Sequence, residues 1–90
     1  MNIEELFNLI EDRYRKKNKN SYTNKLLRLG PKKIAQKFGE EATELIVDYL
    51  NGSKKRTIEE AADVIYHLLV LLRSKKISLE EINKELNKRK

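Results

Sequence analysis

This sequence predicts an all-α protein: four to five helices in a single domain over residues 1–90, forming a helical bundle completed by homodimerisation. Three observations carry that prediction. Apolar residues recur at spacings of three and four through most of the chain, and no stretch alternates polar and apolar as a half-buried strand does. Helix-starting and helix-stopping residues punctuate it at Asn2, Ser21, Gly30 with Pro31, Asn51 with Gly52, and Ser78. The 90 residues, 39% hydrophobic and 38% charged, suit one small helical core with no room for a second catalytic module.

Each element follows in order. Asn2 with Glu5 forms a capping box, after which Ile3, Leu6, Phe7, Ile10 and Tyr14 mark one helical stripe to about Arg15. The run K-K-N-K-N from Lys16 to Asn20 has no apolar residue and reads as a flexible basic loop. Ser21 caps a short helix through Leu29, Gly30 stops it, and Pro31 suits the first turn of the next. In that third helix Ile34, Phe38, Ala42, Leu45 and Tyr49 form the apolar stripe until Asn51-Gly52 closes it, while Glu41, Glu44 and Asp48 follow a different stripe. The fourth helix begins between Ser53 and Thr57 and runs to about Ser74. From Ala61 to Leu72 it is apolar nearly all round, the pattern of a helix buried on most sides. Ser78 with Glu81 caps a last helix that packs Leu79, Ile82 and Leu86, and the C-terminal N-K-R-K frays.

The fourth helix is also the reason to expect a homodimer. A small monomer hides one or two stripes of a helix, whereas Ala61, Ala62, Val64, Ile65 and Leu68 to Leu72 occupy nearly every direction around the axis. Packing the hairpin of helices three and four against its copy covers the surplus.

Composition narrows the function. No run of eighteen apolar residues exists to span a membrane, and the acidic, amphipathic N-terminus lacks the pattern of a secretory signal, so a cytoplasmic location is expected. The absence of cysteine excludes disulfides and thiolate metal sites, so any metal is held by oxygen or by His67, and oxygen favours Mg²⁺ or Mn²⁺. Lys and Arg number 20 against 14 Asp and Glu, a net charge of +6. That excess suits a polyanion-binding surface or a pocket for a highly phosphorylated small molecule, and most of the lysines also read as an ordinary solvated face.

Against this positive background the chain places carboxylates in two tight groups, K-F-G-E-E-A-T-E at 37–44 and E-A-A-D at 60–63. Glu41 and Glu44 lie three apart on one helical face, and so do Glu60 and Asp63. Like charges so placed cost roughly 0.2–0.5 kcal/mol per pair unless a cation sits between them. Glu60, Asp63 and His67 further form a polar stripe on an otherwise apolar rod, and buried carboxylates need partners. A divalent cation shared across antiparallel helices supplies one. The plainer reading makes Glu60 the N3 partner of a Thr57 cap, and Lys37 with Glu41 a surface pair.

S-Y-T-N-K-L at 21–26, K-F-G-E-E-A-T-E at 37–44 and E-E-A-A-D-V-I-Y-H-L-L-V-L-L at 59–72 resemble the phosphoribosyl-ATP pyrophosphohydrolase family of the all-alpha nucleotide pyrophosphohydrolase (MazG-like) superfamily. The superfamily pattern is EExxE followed by ExxD. Glu40, Glu41 and Glu44 match its first element, Glu60 and Asp63 its second. The resemblance runs from about Ile3 to Arg89, without the cyclohydrolase domain fused to this one in some members, so the chain looks like the stand-alone form. It implies Mg²⁺-dependent hydrolysis of phosphoribosyl-ATP to phosphoribosyl-AMP and pyrophosphate, the second step of histidine biosynthesis, on a pocket next to a subunit boundary. Glu41, Glu44, Glu60 and Asp63 are then the metal ligands. Glu40 orients or deprotonates the attacking water, or serves only as a supporting or surface acid.

Lys37, one helical turn before Glu41, reaches phosphate oxygens held at the ion. Lys25 and Arg13 are further phosphate candidates, with solvation or a salt bridge as the alternative. Ser21, Tyr22 and Thr23 are candidates for ribose or phosphate contacts, although Ser21 is equally a helix cap. His67 reads as a hydrogen-bonded core residue rather than a ligand. Two rival readings stand beside this one: a house-cleaning nucleoside triphosphate pyrophosphohydrolase using the same carboxylates, and a non-enzymatic basic helical module that binds nucleic acid. The S-Y-T segment argues against the first. The 7% aromatic content and the lack of a basic recognition helix argue against the second, so no nucleic-acid partner and no membrane are expected.

Overall fold

The computed structural model describes residues 1–16 and 21–90. It contains five helices, α1 (Ile3–Lys16), α2 (Tyr22–Leu29), α3 (Pro31–Asn51), α4 (Lys54–Ser74) and α5 (Leu79–Lys88), and no strand among the described residues. The chain is all-α as expected. The basic run assigned to a loop lies outside the described residues, apart from Lys16, which closes α1.

The boundaries follow from local chemistry. Asn2 Oδ1 accepts from the Glu5 amide at 2.8 Å and opens α1. The Ser21 side chain accepts from the Asn24 amide to cap α2. At Gly30, φ is 90°, a left-handed value that disfavours a side chain, and Pro31 follows in the first turn of α3. Gly52 ends α3 for a different reason: a Cβ there would lie 2.8 Å from the Asp48 carbonyl oxygen, closer than packed atoms approach. Ser53 then caps α4 through the Arg56 amide. Ser78 and Glu81 make the reciprocal capping box that opens α5. Between them α4 ends in a Schellman turn, with Ile77 N–H donating to Leu72 O, Lys76 N–H donating to Arg73 O, and Lys76 at φ 61°.

Phe7 and Ile10 of α1, Leu26 of α2, Ile34 of α3, and Leu69 and Val70 of α4 form the buried core. It gathers where α1 and α2 meet the start of α3 and the end of α4. From there α3 and α4 run on as an antiparallel pair joined by two residues. The radius of gyration is 14.0 Å, against about 12 Å for a compact chain of this length, as a projecting hairpin requires. Arg73 ties α4 to α1 by pairing with Glu11 and covering the Tyr14 ring, 4.0 Å from its centroid. No helix among the described residues is long and apolar enough to cross a membrane.

Several stripes end differently from the periodicity. Tyr49 continues the α3 stripe but is 73% exposed: α4 meets this end of α3 through Asp48, and the neighbouring Tyr49 lies off that contact. Leu86 does not pack: of the α5 residues only Leu79 meets the core, and Leu86 is 59% exposed. Nor is α4 covered on all sides, since Ala62 and Leu68 face solvent. The larger apolar excess sits on α3, at Ile46, Val47, Tyr49 and Leu50, and Ile58 of α4 is exposed as well.

Candidate active site

The hairpin sets Glu41 and Glu44 of α3 opposite Glu60 and Asp63 of α4. Carboxylate oxygens of Glu41, Glu60 and Asp63 lie within 4.8 Å of one another. Glu44 stands just outside this triad, near enough to share a hydrogen bond with Glu41 and to act by its charge on both Glu41 and Glu60. Glu60 is the most enclosed acid, 5% exposed. Its Oε1 accepts from Arg56 Nη2 at 2.9 Å, while its buried Oε2 has no partner. Thr57 is not its cap. Ser53 caps the helix one turn earlier, and the Thr57 hydroxyl instead donates to the Ser53 carbonyl at 2.9 Å.

Two of these carboxyls hold protons unusually tightly. Burial, then the charge of Glu44, pushes Glu41 above the ordinary carboxylate range; Asp63 and the Glu44 hydrogen bond add to this, and His67 opposes it. Burial and the charge of Glu44 also push Glu60 up, with Asp63 and Asp48 adding and Arg56 opposing. The site is thus short of positive charge despite the chain's excess. Its residues fit a hard divalent cation: the donors are all carboxylate oxygens, three converge, and one buried oxygen is unsatisfied.

Asp48 and Arg56 were missed as parts of this site. Arg56 reaches Asp48 and Glu59 at 3.5 Å as well as Glu60, and Arg56, Asp48 and Glu60 line a cleft of about 240 Å³ with Thr43, Glu44 and Val47. The signal was present for Asp48, which shares the stripe of Glu41 and Glu44 in the sequence. For Arg56 it was the spacing of four before Glu60.

The S-Y-T segment meets α4 above the acids. His67, 6% exposed, approaches the Asp63 carbonyl with Nδ1 at 2.8 Å. A carbonyl only accepts, so Nδ1 carries the hydrogen, and in the neutral ring Nε2 accepts from the Tyr22 hydroxyl at 3.4 Å. His67 therefore belongs to the core, hydrogen-bonded at both nitrogens. Thr23, 1% exposed, shares a 2.6 Å hydrogen bond with the Tyr66 hydroxyl, and Ser21 is buried as the α2 cap. Of the three, Tyr22 alone is accessible, at 49% exposed. Arg13 lies where its charge acts on Tyr66, and its carbonyl accepts from Asn24 Nδ2 at 2.8 Å. Lys25 and Lys37 border a cavity between α2 and α3. Glu40 points away from the triad: Gln36 Nε2 donates to it at 2.9 Å and Lys37 Nζ stands 4.0 Å off.

Facing helices that set carboxylates opposite one another, with lysines bordering a cavity nearby, give this all-α chain a site whose chemistry suits a phosphorylated ligand. The chain belongs to the phosphoribosyl-ATP pyrophosphohydrolase family, whose model matches residues 3–90. It is 51% identical over 88 residues to the phosphoribosyl-ATP pyrophosphatase of Clostridium novyi (strain NT), covering 98% of this chain and 80% of that one. The protein of the same name from Bacillus cytotoxicus is 46% identical over 87 residues, covering 97% and 81%. That from Metallosphaera sedula is 45% identical over 87 residues, covering 97% and 94%.

Proposed function

We propose that the chain hydrolyses the α–β phosphoanhydride of phosphoribosyl-ATP to phosphoribosyl-AMP and pyrophosphate, the second step of histidine biosynthesis. The observation that carries this reading is the convergence of Glu41, Glu60 and Asp63 within 4.8 Å, in a chain matched by the family model over residues 3–90. Relatives named phosphoribosyl-ATP pyrophosphatase support the same substrate. Glu41, Glu44, Glu60 and Asp63 would hold Mg²⁺, or Mn²⁺ in its place. When bound, such an ion neutralises phosphate oxygens and lowers the pKa of a water.

The chain's own residues supply position and proton transfer. Lys37 is held only loosely to Glu40, and a phosphate oxygen is a stronger partner for its ammonium. Its transfer to substrate releases Glu40 from the pairing, and Glu40 takes a proton from the attacking water only after its side chain leaves Gln36 and turns toward the triad. The water oxygen bonds to one phosphorus of the anhydride as the bridging bond breaks and pyrophosphate departs. Asp63 is steadied through the His67 hydrogen bond to its backbone, so α4 presents its acids in a fixed register.

A homodimer completes this reading. Ile46, Tyr49, Leu50 and Ile58 are each more than half exposed on the hairpin, and apolar surface of that kind favours a second copy over water. The chain is read as one domain, acting in the cytoplasm, where a biosynthetic hydrolase without cysteine has no need of disulfides. Pyrophosphate release from phosphoribosyl-ATP, compared with the common nucleoside triphosphates in Mg²⁺, tests the function. A preference for the simple triphosphates would overturn it. Sedimentation at low micromolar concentration tests the dimer, and a fully active species with the mass of one chain would exclude it.

A further inference from the structure

Beside the acidic hairpin lies a cavity of opposite character. Tyr22, Lys25, Leu26, Arg28, Leu29 and Lys37 line a space of about 490 Å³ between α2 and α3, within the range of small-molecule sites. Three of the six carry positive charge and none is acidic. The walls that bring these cations together are built: Leu26 is 2% exposed and anchors α2 in the core, and the left-handed Gly30 turns the chain directly into α3. Like charges gathered around a concavity raise its potential and favour an anion there.

The cavity also adjoins the carboxylates. Lys37 lines it from α3 one turn before Glu41, about 6 Å along the axis. Tyr22 lines it from α2 and bonds through its hydroxyl to His67, which bonds in turn to Asp63. A ligand extending from the hairpin past Lys37 enters this space. The substrate assigned above carries two separate phosphorylated groups, a triphosphate and a phosphate monoester on its second ribose. A cation at the acids serves the first. The second needs side-chain cations, since carboxylates repel it.

We propose that the cavity between α2 and α3 binds the phosphate monoester of the second ribose, with Arg28 and Lys25 as its anion-binding groups and Tyr22 against the sugar. Arg28, not assigned to the site by the sequence, then separates phosphoribosyl-ATP from a simple nucleoside triphosphate. A guanidinium forks onto two phosphate oxygens where an ammonium offers one point of charge. The proposal rests on the substrate reading above, and its test keeps the two apart.

The binding arm uses ribose 5-phosphate with EDTA present, so that no metal bridges it to the carboxylates. The wild-type melting temperature should rise with ribose 5-phosphate and not with ribose, and the rise should be lost in Arg28→Gln and partly kept in Arg28→Lys. The kinetic arm compares substrates. Arg28→Gln should lose at least about tenfold in kcat/KM for phosphoribosyl-ATP, mainly through KM, while any slow hydrolysis of ATP is affected far less. If wild type hydrolyses phosphoribosyl-ATP but ribose 5-phosphate gives no shift, or Arg28→Gln keeps its full preference, the monoester site is wrong and the function stands. If phosphoribosyl-ATP is not hydrolysed at all while ribose 5-phosphate protects the wild type alone, the anion site stands and the assigned substrate falls.

Discussion

The acids of the α3–α4 hairpin and the acid that opens α5 behave in opposite ways. Glu81 accepts from the Ser78 amide at 3.0 Å, and that bond holds its carboxyl below the usual range. Glu41 and Glu60 are pushed above it, first by burial and then by Glu44. An acid of the first kind is used by the fold, because its charged form is favoured only in the native helix. Acids of the second kind work against the fold, so their retention needs another cause. Local stability explains α5, and the cation site proposed above would explain the hairpin.

The strongest way to break this contrast is to remove one hairpin acid. Asp63→Ala or Glu44→Ala should reduce turnover by at least about a hundredfold while leaving helicity intact and the metal-free melting temperature unchanged or higher. Retained activity in either would remove the site. For comparison, Glu81→Gln should leave turnover unaffected.

Metal and pH sharpen it further. A raised native pKa means that the folded state binds protons that the unfolded chain releases, so stability falls as pH rises from about 4.5 through the native value. Relative to Glu41→Gln, metal-free wild type should therefore gain stability as pH drops toward 4.5. Mg²⁺ should raise the melting temperature most above pH 7 and progressively less on acidification, as protons compete for the same oxygens. Calorimetry with Mg²⁺ or EDTA from pH 5 to 8 reads both effects. A shift independent of pH would count against these carboxylates as the ligands.

Gly52→Ala should cost about 1–3 kcal/mol in denaturant unfolding, because the new methyl must push against the Asp48 carbonyl at the end of α3. Since the strain falls at the hairpin tip, the Mg²⁺ response should weaken with it. The smallest effect belongs to α5. The Glu81 carboxyl is depressed, so its contribution is present above about pH 4.5 and fades as pH falls below that value. Glu81→Gln should lower the melting temperature slightly at pH 7, with the difference from wild type closing in acid.

The helix boundaries were legible because they are local. Ser21, Gly30 with Pro31, and Ser78 with Glu81 satisfy backbone groups within a few residues, and those partners are written side by side. The facing of Glu41 and Glu44 with Glu60 and Asp63 was legible for a related reason, since a two-residue connection leaves little choice of register. What periodicity conceals is where a stripe runs out of neighbours. Tyr49 and Leu86 match their stripes and yet stand in solvent, because a repeat of three and four says which residues share a face and not which part of that face meets a neighbour. Arg56 was hidden by choice among partners: Glu60 has a threonine three residues before it and an arginine four before it, and the burial that makes the charge decisive exists only in the folded hairpin.

The core described above clamps α4 at Leu69 and Val70 and α3 at Ile34, whereas Glu60, Asp63, Glu41 and Glu44 lie further out on the same helices. Mechanically this is a cantilever, rooted at one end and loaded along its free length. Amide hydrogens of α4 should then exchange in a gradient, slowest around Val70 and fastest toward Lys54, within one continuous helix. An ion bound at the acids would act as a brace partway along the beam, slowing exchange outward from Asp63 while leaving the already slow root unchanged.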